Sequence, residues 1–511
     1  MRGASADYID YMDLEHSARG IQVVLSPALN LCSLRNRWMF FIVMTRGALA
    51  SSFAVLGIIA CTGMATVTAQ QSDGSVQVGT TRQIPGAARV TTGRPEQLSF
   101  EQAIQLAIQN NLSTLLANEQ RNEARGVKQQ SLSALLPNVS SVTYQASLTE
   151  NLVALGFEPG TISGITSTFL GPFRNFDSRV LLTQKVFDLS AIRNYQAGRA
   201  GERVAELQQG LAREQVASAA GLIYLEALRA EASVVAAKAN VDLAQALLTL
   251  AQDQRNAGVA TGVDVIRAQT RLAEQQVVLA QSQTTSEQAR LNVQRVVGLP
   301  LGSSLTLSDQ LRFNDDPLPA VEAAVAQADQ SRREIQVARE QNRVSELERK
   351  AAQAEYLPSV EFIGDYGVSG ITPNSSDLPT RSVAIQLNVP IFNGGMTRGR
   401  VTVATSRQRQ SELELSNIRG QVEEDVRLAI ATLRSTTIQV RAADESVTLA
   451  QRELQMASDR FKAGVANNLE VVTAQTSLAN ARDAQVTALA QHNAARLNLA
   501  AALGRAEAFR W

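Results

Sequence analysis

Cysteine is nearly missing from this chain. Cys32 and Cys61 are the only two, and both precede the region where pattern begins. A disulfide framework or a cysteine-based zinc site is thereby excluded from everything downstream. Histidine is as rare, with only His16 and His492, and His492 reads as a polar helix residue rather than a ligand. No G-x-x-x-x-G-K-[ST] loop and no H-E-x-x-H motif occurs. No catalytic, cofactor or metal site is therefore expected. Neither sign of charge is in excess, with 48 Lys plus Arg against 48 Asp plus Glu, so nothing draws the chain to nucleic acid. Aromatics make up only 5% of residues, while Ala, Gln and Leu dominate. That composition favours long, closely packed helices over a thick globular core.

The N-terminal apolar run Ala48–Ala60, ALASSFAVLGIIA, falls short of the ~17 residues that a spanning helix needs. With Arg46 before it and Val67-Thr68-Ala69 after it, the run reads as an export signal cut before Gln70. A second reading rests on Ile58-Ile59-Ala60-Cys61, which has the form of a lipobox and would make Cys61 a lipidated N-terminus. Either way the mature chain leaves the cytoplasm. Residues 1–43 carry no pattern and read as upstream sequence. Residues 70–97, rich in Gly, Thr, Ser and Gln, read as a flexible leader.

What the chain does have is a repeat. Residues 258–273, GVATGVDVIRAQTRLA, return at 464–479 as GVANNLEVVTAQTSLA. Val186-Phe187-Asp188 answers Ile391-Phe392-Asn393, Gly298 answers Gly504, and Leu136-Pro137 answers Leu357-Pro358. A period of some two hundred residues is too long for a solenoid module and implies a duplicated domain-sized unit. Each half reads as helix, strand, loop, strand, long helix, sharp turn, long helix.

Helix and strand patterns fill in that plan. Phe100, Ala103, Ile104, Ala107 and Ile108 form one face of a first helix running over 100–135. In 139–149, Val142, Tyr144, Ala146 and Leu148 alternate with Thr143, Gln145, Ser147 and Thr149. In 382–391, Val383, Ile385, Leu387, Val389 and Ile391 alternate with polar or small residues. Residues 360–369 alternate likewise, and 179–187 less regularly. Such alternation over about ten residues is the signature of a barrel strand between lipid and a polar lumen. Four strands cannot close a barrel, and an open edge cannot sit in lipid. Several chains must then share one barrel. Leu433, Val440, Val447, Leu454 and Phe461 fall seven apart, and Ala227, Val234, Val241, Leu248 and Arg255 take the same register in the first half. A repeat of seven implies coiled-coil packing. The helix over 190–256 would be ~100 Å long at 1.5 Å per residue, about twice its partner over 263–297, and the first helix is the right length to cover the excess.

Ala257-Gly258 and Ala463-Gly464 are helix stops. Asp264 and Glu470 follow in the first turn of the next helices, where the helix dipole favours a carboxylate. Residues 151–176, with Phe157, Phe169 and Phe173, read as a loop at the outer end of the first strand pair.

In its ordered motifs the chain resembles the TolC-like outer-membrane efflux protein family. The residues that carry the likeness are LSFEQAIQLAIQNN (98–111), the exits LLP and YLP, NVPIFNGG (388–395), the two tip segments, and the closing ALG (502–504). The resemblance covers roughly 98–505, twice over. It implies a mainly α protein with a membrane β-barrel. In a homotrimer, each protomer gives four strands to a shared twelve-stranded barrel and its helical hairpins to a periplasmic α-barrel tunnel. It also implies a cell outer-membrane location, a periplasmic adaptor, an inner-membrane transporter and surrounding lipid as partners, and an exit-channel function in efflux or secretion.

By motif position, Glu470 would stand in an acidic ring at the periplasmic aperture. Three such carboxylates facing one lumen would repel one another and attract cations. The family's next acidic position falls on Thr473. Asp264 matches an aspartate that closes the tip, but its partners fall on Phe461 and Ala466, which offer neither hydroxyl nor guanidinium. The closed state would then rest on packing of Phe461, or on a link from Arg255, Arg267 or Arg460. The resulting division is 1–69 extension and signal, 70–97 leader, 98–298 first repeat, 299–320 equatorial linker, 321–504 second repeat and 505–511 tail. The competing reading is a pore-less periplasmic coiled-coil scaffold or adaptor. An enzyme is disfavoured by the missing nucleophile–histidine pair.

Overall fold

The computed structural model describes residues 85–89, 97–154, 156–157, 167–373 and 378–511. The export signal, Cys61 and most of the expected leader lie outside the described residues. Two strand pairs and two long helical hairpins follow one another as the repeat requires. Strand β1 is Gln97–Leu98, and helices α1 and α2 are Phe100–Asn110 and Leu112–Ser133. Strands β2 and β3 are Asn138–Asn151 and Phe169–Phe187, leading to α3, Leu189–Asn256, and α4, Gly262–Val297. A short strand, β4, occupies Thr306–Leu307. The second half then runs α5 Val321–Ser331, α6 Arg333–Ala354, β5 Ser359–Gly370, β6 Leu378–Asn388, α7 Met396–Lys462 and α8 Asn468–Ala502.

The expected single helix over 100–135 is in fact two. Asn111 takes extended backbone angles, and its side chain caps α2 by accepting from Ser113 N at 2.9 Å. Its amide also donates to Pro85 O at 2.6 Å, and Leu112 N reaches Gly86 O. The 85–89 segment thus supplies partners that a continuous helix would not need. The second repeat breaks at the matching place, Arg332, whose guanidinium binds Ala501 O at 3.1 Å and Asp425 at 3.0 Å. In both halves the short leading helices lie along the upper part of the long helix that follows, α2 on α3 and α6 on α7, while α6 also packs on α3.

The main core lies where the halves meet. Phe100, Tyr224, Leu98, Leu305, Val296 and Leu497 are fully buried there, with Phe509 and Trp511 packed on the Phe100 ring. Gly221 makes this possible, since a Cβ there would lie 2.7 Å from Leu497 Cδ2. Parallel pairing of β1 with β4 joins the linker to this core. The Tyr224 hydroxyl lies 2.8 Å from both Leu98 O and Asp309 Oδ2, and that carboxylate also accepts from Phe100 N at 2.7 Å. Burial first, then the adjacent Asp309 carboxylate, push the Tyr224 hydroxyl pKa up.

The heptad seam is present in the second half. Leu433, Val440, Val447, Leu454 and Phe461 are all buried. In the first half it is present in part: Ala227 and Leu248 are buried, Val234 and Val241 are half-buried and Arg255 is exposed, while Ala230, Ala237, Ala244 and Ala251, three residues on, are buried as Ala443, Ala450 and Ala457 are in the second half.

Strands β2, β3, β5 and β6 form one antiparallel sheet in that order. Two expected boundaries move. β3 begins at Phe169, so Phe169 and Phe173 belong to a strand rather than a loop, and β6 ends at Asn388, before Val389 and Ile391.

Candidate functional site: the hairpin tips and the open sheet

Both hairpins turn in the same way. Gly258 and Gly464 sit at φ +76° and +72°, a left-handed conformation that glycine adopts without a Cβ penalty. The next residue in each turn closes the helix end, Val259 N to Gln254 O at 2.9 Å and Val465 N to Arg460 O at 3.1 Å. After the turns the repeats diverge. Asp264 accepts from Thr261 N at 2.9 Å and from the Thr261 hydroxyl at 2.6 Å, and the hydroxyl bond holds its carboxyl below the usual range. Its Oδ1 lies 3.9 Å from Arg267. Glu470 makes no such cap. Asn467 caps α8 instead, accepting from Leu469 N at 3.1 Å, and Glu470 pairs with Arg460 at 3.2 Å while about half exposed. Thr473 is exposed and donates to Leu469 O at 2.8 Å.

The two tips touch through groups that the motif comparison did not single out. Asn468, which is 2% exposed, donates from Nδ2 to Asp264 O at 2.9 Å. Phe461 packs with Val471, Ala474 and Leu478, and Leu243, Leu247, Leu250 and Ala260 of the first hairpin lie against that cluster. Higher up, Arg482 donates to Asn240 Oδ1 at 2.7 Å. Arg460 and Arg267 each pair within their own hairpin, and Arg255 is exposed. The sequence signal for Asn468 was the doublet Asn467-Asn468 where the first repeat has Thr261-Gly262: one asparagine caps, and the other is left for another task.

One face of each long hairpin is open among the described residues. On α7, Leu449 and Met456 are exposed beside Glu453, Arg460, Leu469 and Glu470. On α4, Val263, Ile266, Thr270, Ala273, Val277 and Ala280 form a spacing of three and four, and every one is exposed.

The sheet has two unlike faces. Val383, Ile385 and Leu387 on β6 share a side with Gly364, Phe362 and Val360 on β5. The other side carries Asp177, Arg179, Asp365, Ser382, Lys185 and Glu361. There Arg179 donates to Asp177 Oδ1 at 2.6 Å and to Asp365 at 3.2 Å, and Ser382 bonds Asp365. Strand register corrects one expectation. Val142 pairs with Arg179 and Tyr144 with Asp177, so the apolar stripe of β2 lies on the charged side. Ser141 and Thr143 lie on the apolar side instead. Outermost in the order, β2 and β6 each have one edge without a partner strand among the described residues.

Between sheet and tips, the linker is clasped by the second hairpin. Fully buried His492 bonds Asn314 O at 3.0 Å through Nε2, and Arg496 and Arg441 pair with Asp316 and Asp315 at 2.6 and 2.5 Å. Burial lowers the His492 pKa. Among the described residues no group of His, Cys, Asp and Glu has the arrangement of a metal site.

Residues 324–505 match the family model described as outer membrane efflux protein. The chain is 27% identical over 328 residues to the alkaline protease secretion protein AprF of Pseudomonas aeruginosa, an alignment covering 60% of this chain and 66% of AprF, just under two thirds. It is 23% identical to the proteases secretion protein PrtF of Dickeya chrysanthemi over 405 residues, 76% of this chain and 84% of that one. In three dimensions it is similar to the Campylobacter jejuni CmeC outer membrane channel, with a TM-score of 0.69 at 16% identity over 80% of this chain and 86% of CmeC. That likeness is one of fold.

Proposed function

We propose that this chain, which is similar to outer membrane efflux proteins in sequence and fold, is a TolC-like member of that group and acts as the outer-membrane exit channel of an efflux or secretion system. The observation that carries this reading is the pair of faces left open at every level of the molecule. Leu243 and Leu250 on α3 pack against the second hairpin, but their equivalents 206 residues on, Leu449 and Met456, are exposed. Helix α4, the equivalent of α8, is exposed along Val263, Ile266, Thr270, Ala273, Val277 and Ala280. The contact that the first repeat makes with the second inside one copy is therefore on offer from the second repeat to the first of another copy. Repeating that step builds a ring. The sheet edges repeat the argument, because β2 and β6 in lipid would each strand a row of backbone donors and acceptors.

We read the ring as a homotrimer sharing a twelve-stranded barrel, with the Val383–Ile385–Leu387 face toward lipid and the Arg179 face toward the lumen. Residues 98–298 and 321–504 are its two repeats, and 299–320 with 505–511 form the belt. The tips with Gly258, Gly464, Asp264, Phe461, Glu470 and Thr473 form the periplasmic aperture and meet an adaptor that joins the channel to an inner-membrane transporter. No chemical step is assigned to the chain itself.

Electron microscopy of the detergent-extracted protein tests the proposal. A hollow particle with threefold symmetry is the expected result. Single helical particles that dissolve without detergent would replace the channel with a pore-less periplasmic scaffold.

A further inference from the structure

We propose that β6 of one copy pairs antiparallel with β2 of the next at a defined register, Gln386 standing opposite Tyr144 of the next copy. This rests on the assembled-channel reading and adds the residue pairing at the junction between copies.

The register follows from the internal repeat. Pro137 and Pro358 fix an offset of 221 from the first strand of one hairpin to the first strand of the other, and Phe187 and Phe392 fix an offset of 205 for the second strands. The structure supplies a check on both offsets. In the first hairpin Ser140 pairs with Leu181 and Tyr144 with Asp177. Carried forward, these pairs become Glu361 with Gln386 and Asp365 with Ser382, which are observed pairs of the second hairpin. The two hairpins are thus registered alike to the residue.

The junction between the hairpins inside one copy is also known. Leu181 of β3 stands opposite Asp365 of β5, Arg179 opposite Gly367, and Phe176 opposite Gly370. Moving β3 forward by 205 gives β6, and moving β5 back by 221 gives β2. The pairs become Gln386 with Tyr144, Ala384 with Ala146, and Arg381 with Thr149.

Polarity agrees with this result without having been used to obtain it. Gln386 shares a side with Glu361 and Lys185, and Tyr144 shares a side with Asp177; both sides are the charged one. A slip by a single residue would set the charged face of one copy against the apolar face of the next, because side chains alternate with a period of two. The junction differs from the one inside a copy. Outward, Leu387 and Ile385 of β6 meet Thr143 and Gln145 of β2, so each apolar side chain faces a polar one. Inward, the Tyr144 ring comes to lie between Gln386 of the neighbouring copy and Asp177 of its own.

Paired cysteines in the full chain, expressed in outer membranes and oxidised mildly, test the register. Y144C/Q386C and T143C/L387C are expected to give covalent oligomers on non-reducing gels, because directly opposed Cβ atoms lie about 4.5–5.5 Å apart. V142C/Q386C and A146C/Q386C move one cysteine to the diagonal positions, about 7–8 Å away, and should cross-link several times less. If either diagonal pair cross-links best, the copies pair at another register and the proposal falls while the channel reading stands. If all four pairs leave single chains, and the same membranes yield no oligomer without cysteines, the assembled-channel reading itself fails.

Discussion

Asn468 and Asp264 show how much one side chain can decide at the tip. Asn468 is buried and donates to a main-chain carbonyl on the other hairpin. Asp264 O belongs to the first turn of α4 and keeps its intrahelical partner, so losing the Asn468 bond costs about 0.5–1.5 kcal/mol, the net value of one hydrogen bond. N468A is therefore expected to speed amide hydrogen exchange in the first turns of α4 and α8 while leaving the main core protected. N468D should behave alike, because an ionised carboxylate cannot donate. D264A tests a separate point, whether the Asp264 side chain latches the closed tip. Its carboxylate is spent on Thr261, so resting conductance in planar bilayers should stay unchanged. A rise would restore the latch. The same carboxylate has its pKa lowered in the fold by the Thr261 hydroxyl, so its contribution to stability is present above the unfolded value of about 3.9 and is lost as pH falls through the lower folded value.

At the scale of elements, the repeat predicts where substitutions should differ between halves. Phe461 fills the last position of a buried seam, whereas its equivalent Arg255 is exposed. F461A should cost about 3–5 kcal/mol and lower the melting temperature, and R255A should leave it unmoved. The linker clasp carries a pH dependence. Burial lowers the His492 pKa, so the clasp is intact above the unfolded value of about 6.5 and weakens as pH falls through the lower folded value. Melts between pH 7 and pH 5 should show a decline that H492Q reduces. Much of this was legible in the sequence. Alternation located β2, β5 and β6 but only the less regular second half of β3, the seven-residue spacing located the second seam, and the duplicated tip motif located both turns. The helix breaks at Asn111 and Arg332 were not legible, since each is held by a distant segment: Pro85 and Gly86 in one case, Ala501 and Asp425 in the other. Nor was the side to which β2 turns its apolar residues, because alternation says which residues share a face but only pairing with Arg179 and Asp177 says which face it is. At the tip, the helix stops at Gly258 and Gly464 placed Asp264 and Glu470 in the first turns of the following helices, yet an extra methylene and the Asn467 cap gave Glu470 a different partner.

For the whole molecule, the exposed seam of α4 can be tested without touching any residue of the tip contact. I266E and V277E place charges on a face that is open in the single chain, so the chain should still fold by circular dichroism. It should then run as single copies when its mass is measured in detergent. Oligomers of wild-type size from that variant would show that the seam is not a junction. The sheet with its two unpaired edges also constrains how such an assembly can grow. Joining copies side by side satisfies one edge of each partner but always leaves two edges open, however many copies have been added. Only the step that closes the circle removes both at once. Partial assemblies thus gain nothing at their ends from growth, and the last addition brings an extra junction with no further copy to immobilise. Formation should be steeply cooperative, with single copies and closed rings populated and the species between them kept scarce.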